Sequence, residues 1–193
     1  ILDEIRKAFI EGDQQKAEKL TRENFNSEVP YEYSGEKPFR FGNFTTMGEF
    51  YIETGLNTVK MSEYKRILSL DSAMAVVQFK KDNVAYQRNY FISYPANVMV
   101  MRFSADQPGK QNLIFSYAPN PMSTGQIAID GSNGLVYSAF LENNGMKYAV
   151  RIQATVKGGT LNNSDGKLTI KDADEAVFYV TADTDYKMNF APD

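Results

Sequence analysis

The sequence of 193 residues contains no histidine, no cysteine and no tryptophan. Without histidine, the chain cannot build a Ser-His-Asp triad or a histidine-ligated metal site. Without cysteine, it has no disulfide, no thiol nucleophile and no cysteine-ligated zinc. The net charge of −3 offers no basic surface to a polyanion. We therefore expect no nucleic-acid partner, and we expect no cofactor.

Long apolar runs are missing as well, since no stretch approaches the roughly 18 apolar residues of a membrane helix. We therefore expect no membrane segment. Aromatic residues are frequent, with 12 tyrosines and 13 phenylalanines. Such side chains suit β-strands, where they pack on a pleated surface. Ile1 opens directly into a helical pattern without a secretory signal, so we expect the chain to be a piece of a longer protein.

The first part of the chain favours two short helices. Apolar residues recur at helical spacing from Leu2 to Ile10. Gly12 is a plausible helix stop, and Asp13 is a plausible N-cap for a second helix over Gln14–Asn24.

From Met47 onward, the pattern changes to alternating apolar and polar residues separated by Gly, Asn and Asp turns. The turn at Lys81–Asn83 marks the first hairpin. This pattern predicts a mainly β fold, an antiparallel β-sandwich of the super-sandwich type with short N-terminal helices. The predicted strands are Ala73–Phe79, Val84–Tyr90, Val98–Phe103, Asn112–Tyr117, Gly125–Asp130, Leu135–Leu141, Lys147–Val156, Lys167–Lys171 and Ala176–Ala182. The predicted core is Val77, Phe79, Phe91, Val100, Phe115, Val150, Ile152 and Phe178.

One ordered series of strand and turn motifs carries a family resemblance. After a Gly-Glu strand entry at Gly48, the chain reads Tyr-x-Arg-x-Leu-x-Leu-Asp-x-Ala from Tyr64 and Tyr-x-Arg from Tyr86. A Ser-x-Pro corner and an Asp-x-Pro-Gly turn ending at Gly109 follow. Together with the end at Glu175–Asn189, this order resembles the N-terminal β-sandwich domain of glycoside hydrolase family 95, from a Bacteroides-like bacterium. That family comprises α-L-fucosidases and α-galactosidases.

The resemblance implies a single N-terminal domain over residues 1–193 that lacks its first strands and its catalytic (α/α)6 barrel. The expected partner is that barrel in the same polypeptide, which would hold the glycan substrate. The chain alone is then expected to be inactive, because the family places its acid and base on the barrel. Missing first strands would expose a sheet edge, so we also expect self-association. The resemblance implies a periplasmic or cell-surface location.

The segment from Tyr31 to Phe44 is the candidate glycan contact, because exposed aromatic rings stack on sugar faces. The candidate substrate-binding residues are Tyr33, Phe39, Phe41 and Phe44. The structural alternative is that these rings cover the sandwich or pack against the barrel.

Other polar groups are given structural interpretations. Glu49 and Glu53 are expected to share one solvated strand face, and the turn at Asn162–Gly166 is expected to be a hairpin. Asp183 and Asp185 are interpreted as solvated residues near the end of the last strand. Arg66 and Arg88 are expected to pair with an acid or to cap a sheet edge, with glycan binding as the alternative.

Three functions remain open: an accessory domain of a family 95 glycosidase, a module that binds glycan by itself, and a structural sandwich without ligand. Fold alone does not decide between them.

Overall fold

The computed structural model describes residues 1–25, 45–57, 59–142 and 144–187. They belong to two compact units. The first unit contains the described residues 1–25, and the second contains the others.

The first unit is a pair of helices, as predicted. Helix α1 spans Leu2–Ile10 and helix α2 spans Gln14–Phe25. Gly12 between them has a φ of 77°, which glycine adopts without steric cost. Asp13 caps α2, since its Oδ1 accepts a hydrogen bond of 3.0 Å from the backbone N–H of Lys16. Neither helix is long and apolar enough to cross a membrane.

The described part of the second unit consists of twelve strands in two sheets, and all strand neighbours are antiparallel. The small sheet contains β1 (Gly48–Glu53), β6 (Gln111–Pro119), β10 (Thr160–Ser164) and β11 (Lys167–Ala173). The large sheet contains β2 (Ser62–Ser69), β3 (Met74–Lys81), β4 (Val84–Ser93), β5 (Val98–Ala105), β7 (Ser123–Asp130), β8 (Gly134–Leu141), β9 (Lys147–Lys157) and β12 (Glu175–Thr184).

The order of the small sheet is β1-β6-β11-β10, and the order of the large sheet is β2-β3-β4-β5-β12-β9-β8-β7. The predicted antiparallel β-sandwich is confirmed. Among the described strands, β2 and β7 form the edges of the large sheet. Self-association through an edge stays a prediction.

The core lies between the two sheets, where alternate residues of each strand point inward. Phe115 of β6 and Phe178 of β12 stack across the layers with ring centroids 5.0 Å apart, and both are fully buried. Six of the eight predicted core residues are buried: Phe79, Val100, Phe115, Val150, Ile152 and Phe178.

Two core predictions were wrong in degree. Val77 is only half-buried, because β3 lies next to the edge strand β2. Phe91 is also half-buried. Its neighbour Tyr90 packs against the core, so Phe91 lies on the outer face of the sheet, because successive strand residues face opposite sides. Tyr90, Phe91 and Ile92 are consecutive apolar residues, so the alternation in the sequence does not reveal which of them faces inward.

The strand β10 was missing from the predicted strands, because Asn162 and Ser164 are typical turn residues. In the structure, Leu161 pairs with Ile170 of β11, and this pairing draws its polar neighbours into the strand. The hairpin predicted at this place is confirmed, with a two-residue turn at Asp165 and Gly166. Their φ values of 52° and 69° fit a type I′ turn.

Because consecutive strands run antiparallel, the connections fall alternately at the two ends of the sandwich. We call one of them the open end. It holds the connections 45–47, 70–73, 94–97, 120–122, 165–166 and 185–187, together with residues 142 and 144–146. The opposite end holds the connections 54–57, 59–61, 82–83, 106–110, 131–133, 158–159 and 174.

Candidate functional site: the open end of the sandwich

The predicted glycan contacts lie outside the described residues. This holds for Tyr33, Phe39, Phe41 and Phe44, and for Tyr31 beside them. Their role in substrate binding stays a prediction.

The carboxylates of β1 lie where the sequence placed them. Glu49 and Glu53 share the exposed face of the strand. Tyr51 lies between them and donates a hydrogen bond from its hydroxyl to Glu49. This hydrogen bond, together with the negative charge of Glu49, raises the pKa of Tyr51 above its ordinary value. The two glutamates form a solvated strand face.

The carboxylates near the end of β12 bind backbone amides. Asp183 accepts a hydrogen bond from the backbone N–H of Thr184, and Asp185 accepts one of 2.8 Å from the N–H of Lys147. The backbone N–H of Asp185 donates to the carbonyl of Lys147 at 3.0 Å. Asp185 therefore fastens the chain after β12 to the start of β9. Within the described ranges, no group of three Asp or Glu side chains is placed to hold a metal ion.

The two arginines of the Tyr-x-Arg motifs contact aromatic rings. Arg88 lies 5.1 Å from the ring centroid of Phe79 and 5.6 Å from that of Phe103. Arg66 lies 5.9 Å from the ring of Tyr64, on the edge strand β2. None of the described carboxylates forms an ion pair with either arginine. The expected acid partner is not found among the described residues, and Arg66 fits the sheet-edge alternative by its place on β2. Aromatic ring faces attract the guanidinium groups instead.

A cavity of the described sandwich lies at the open end. It is an apolar groove of about 260 Å³ between β1 and those parts of β5, β9 and β12 that lie toward the open end. The side chains that line this groove include Phe50, Ile92, Met99, Tyr117, Val150 and Val180.

The entry of β1 into the groove is fixed by one carbonyl group. The carbonyl oxygen of Met47 accepts a hydrogen bond of 2.6 Å from the hydroxyl of Tyr117 and one of 3.1 Å from the backbone N–H of Asn120. The hydroxyl of Tyr148 lies 3.1 Å from the same oxygen. Burial raises the pKa of Tyr117 above its ordinary value, and the neighbouring Tyr148 adds to the rise.

The side chain of Asn120 extends this anchor. It is 3% exposed, and its amide nitrogen donates to the hydroxyl of Thr45 at 2.9 Å and to the carbonyl of Thr46. Its amide oxygen accepts a hydrogen bond of 2.8 Å from the backbone N–H of Met122. Asn120 thus ties the entry of β1 to the turn between β6 and β7, which keeps the rim of the groove in place.

Large apolar side chains are exposed around the open end, in its connections and in the adjoining strand ends. Leu70, Tyr94, Met122 and Tyr186 lie in connections or beyond the last strand, and each is at least half exposed. At the opposite end, the described side chains of this kind include Val59 in a connection and Ile129 in an adjoining strand end. The full set at the open end is Leu68, Leu70, Ile92, Tyr94, Met122, Phe140 and Tyr186, with exposures from 44% to 94%.

Sequence reasoning did not find this surface, although a signal was present. The turns of the opposite end contain Asp-Asn, Gly-Ser-Asn and Gly-Gly, as surface turns usually do. The turns at the open end contain Leu70, Tyr94 and Met122 instead. Large exposed apolar residues in three turns at the same end of an antiparallel sandwich indicate that this end has a partner surface.

These observations define an antiparallel β-sandwich domain with a pair of N-terminal helices and an apolar surface at one end. A family model described as "Glycosyl hydrolase family 65, N-terminal domain" matches residues 1–189. The chain belongs to this family. The resemblance to a glycoside hydrolase N-terminal domain is confirmed, whereas the family that matches carries the number 65 and not 95.

Two relatives of this chain are longer proteins. It is 28% identical over 163 residues to "Probable alpha-fucosidase A" of Aspergillus niger, and the match covers 79% of this chain and 20% of that protein. Its fold is similar to "Putative kojibiose phosphorylase from human microbiome", with a TM-score of 0.50 and 12% identity over 71% of this chain and 22% of that one. The chain therefore spans about one fifth of the length of these relatives.

Proposed function

We propose that this chain is a non-catalytic domain that supports an (α/α)6 catalytic barrel of the same polypeptide in the hydrolysis of α-L-fucosides or α-galactosides. The observation that carries the proposal is the family match over residues 1–189. The fucosidase-named relative supports the fucoside as substrate, and with it the membership of the parent protein in family 95.

The composition and the described carboxylates are consistent with a supporting role. Glycosidases of the usual kind need two carboxyl groups that flank one glycosidic bond. The paired carboxylates that the sequence suggested are instead on a solvated strand face, in the case of Glu49 and Glu53, or bound to backbone amides, in the case of Asp183 and Asp185.

The test compares the isolated chain with its full-length parent protein on nitrophenyl α-L-fucoside and nitrophenyl α-galactoside. We expect turnover by the parent and only the uncatalysed rate with the isolated chain. Turnover that co-purifies with the isolated chain and disappears in Glu49→Gln or Asp183→Asn would contradict the supporting role. If the parent protein hydrolyses neither compound, the proposed substrates are refuted.

A second candidate function is glycan binding by the chain itself, and one group on the outer face of the large sheet favours it. Tyr179 of β12 is 37% exposed and pairs with Gln153 of β9. On the same face, Arg151 donates two hydrogen bonds to Asp130. An aromatic ring beside fixed polar groups is a common arrangement in sugar contacts.

A glycan array with the isolated chain tests this second candidate. Binding that is lost in Tyr179→Ala and kept in Tyr51→Ala, an exposed tyrosine of the small sheet, supports it. The absence of binding to any fucose- or galactose-containing glycan leaves the supporting role as the function of the chain.

We also propose that the parent protein is periplasmic or on the cell surface of a bacterium. An enzyme in these locations has access to glycans that contain α-L-fucosides or α-galactosides. Fractionation of the source cells, followed by detection with an antibody against this chain, tests the proposal. Recovery in the cytoplasmic fraction alone contradicts it.

A further inference from the structure

The open end of the sandwich differs from the opposite end in a way that folding of the sandwich does not require. Turns need residues that adopt turn conformations and tolerate water, which explains the Asp, Asn, Gly and Ser at the opposite end. Leu70 is 83% exposed and Tyr94 is 94% exposed, so burial within the described sandwich does not account for either. Several large apolar side chains exposed at one end of a domain mark an interaction site.

The groove beside these side chains has the size and polarity of a side-chain pocket. Its volume of about 260 Å³ exceeds the ~150 Å³ at which an apolar cavity accommodates a benzene molecule. Its lining is mainly aliphatic and aromatic. It therefore has room for one large apolar side chain from a partner.

The walls of the groove are formed before any partner arrives. Met47 is held through its carbonyl oxygen by Tyr117 and Asn120. Gly48 is packed so closely that an added Cβ would lie 2.6 Å from the hydroxyl oxygen of Tyr117. A preformed pocket loses little conformational entropy on binding, which suits a permanent contact.

The course of the chain indicates what the partner is. β12 ends at Thr184 at this end, and Asp185 is fastened there to Lys147. The chain thus leaves its last described strand beside the groove. The matches cover 20% and 22% of the two relatives, so in proteins of this kind most of the polypeptide lies outside the matched part and can use such a contact surface.

We infer that the open end is the surface on which the catalytic domain of the same polypeptide docks, with an apolar side chain of that domain in the groove. The inference rests on the proposed function, because it takes the parent protein to have such a domain. It adds the location of the contact, which centres on Ile92, Tyr94 and Leu70.

Amide hydrogen exchange, compared between the isolated chain and the full-length parent, tests the inference. We expect exchange in the connections 70–73, 94–97 and 120–122 to be about tenfold slower or more in the parent. The connections 82–83 and 131–133 at the opposite end serve as internal controls, and their rates should be equal in both proteins. Equal rates at the open end, or protection of the opposite end instead, would overturn the inference.

A matched pair of variants makes the test specific. Ile92→Ser changes an isoleucine that lines the groove and is 70% exposed, and Ile129→Ser changes one on the edge strand β7 that is 60% exposed. Both are strand residues, so the loss of strand propensity is similar. Each should shift the melting temperature of the isolated chain by no more than about 2 °C. In the parent, Ile92→Ser should remove the protection of 94–97, whereas Ile129→Ser should keep it.

If the groove is occupied by another segment of this chain or by a second copy of it, these experiments give different results. A large loss of stability in the isolated chain with Ile92→Ser means that the groove is filled from within the chain, which overturns the inference. Protection that rises with the concentration of the isolated chain, in parallel with dimers in sedimentation, assigns the surface to a second copy and also overturns it. The two proposals fail separately: a parent without glycosidase activity that still protects the open end refutes the substrates and keeps the docking surface.

Discussion

The hydroxyl of Tyr117 lies 2.6 Å from the carbonyl oxygen of Met47, and this contact joins the first strand of the small sheet to the strand that crosses its centre. Tyr117 is 6% exposed and packs against Phe50 of the first strand, with ring centroids 5.4 Å apart. The same residue thus fixes the backbone and fills the space beneath it. Its position explains why the rim of the groove depends on a tyrosine at this place.

Tyr117→Phe should lower the free energy of unfolding at neutral pH by about 0.5–1.5 kcal/mol, the usual net contribution of one hydrogen bond. The loss is limited because the carbonyl of Met47 keeps the N–H of Asn120. Urea unfolding measures the change. Tyr179→Phe on the outer face is the control, and an equal loss there would mean that the contact with Met47 contributes nothing particular.

The same variant should change the response to alkali. Burial raises the pKa of Tyr117 in the folded protein, whereas a tyrosine in the unfolded chain ionises near pH 10. Above about pH 10 the unfolded state therefore releases its proton first, and stability falls as the pH rises. Urea unfolding at steps up to about pH 11 should show a shallower fall for Tyr117→Phe than for the unchanged protein. Parallel curves would contradict the raised pKa.

Gly48→Ala should destabilise the sandwich by about 1–3 kcal/mol, the usual cost of overpacking. An added Cβ would lie 2.5 Å from the carbonyl oxygen of Ala118 and 2.7 Å from a ring carbon of Tyr117. Thermal unfolding measures the effect. Gly55→Asn is a suitable control, because a Cβ at Gly55 meets no atom within 4 Å and asparagine tolerates its φ of 64°. Similar losses at both positions would show that close packing is not the cause.

Phe79→Ala should cost about 3–5 kcal/mol, because it leaves a cavity in a packed cluster. Phe79 is 3% exposed and stacks on Tyr86 with ring centroids 5.1 Å apart. It also carries the guanidinium group of Arg88 over its ring. Phe91→Ala on the outer face should cost clearly less in the same denaturant experiment. A loss below about 1 kcal/mol for Phe79→Ala would be incompatible with the described packing.

Glu175 should contribute to the loss of stability that the protein shows on acidification. A hydrogen bond from Arg102 lowers its pKa in the folded protein, whereas a glutamate in the unfolded chain titrates near pH 4.3. The contribution of the charged Glu175 side chain to the free energy of unfolding is therefore complete above that pH. It is lost as the pH falls through the lower pKa of the folded state. Because both side chains are partly exposed, the effect should not exceed about 1 kcal/mol. In urea unfolding at stepwise lower pH, Glu175→Gln should reduce the loss of stability on acidification.

The fold was largely predictable because the strands of its centre obey simple alternation. β9 and β12 show a regular pattern of buried and exposed residues in the structure, and the same pattern can be read in the sequence. Prediction failed where two local rules conflict. Asn162 and Ser164 have the composition of a turn, but pairing of Leu161 with Ile170 overrides that preference. Phe91 has apolar neighbours on both sides, so its face is decided by the partner strands alone.

The candidate site was harder to predict, because it depends on which turns share an end. Leu70, Tyr94 and Met122 are separated by more than 20 residues from one to the next, and each is unremarkable by itself. Their common location follows only from the complete strand order. The hydrogen bonds to Met47 depend in the same way on strands that are distant in sequence.

The position of β12 has a consequence for how the protein is made. This strand lies between β5 and β9 in the large sheet, so Phe178 is paired with Met101 on one side and Ala154 on the other. During synthesis, the two halves of the sheet cannot join until residues 175–184 have left the ribosome. Pairing between segments so far apart also favours slow folding. Nascent chains halted before residue 175 should therefore be readily cleaved by protease, and chains extended well beyond Thr184 should resist it.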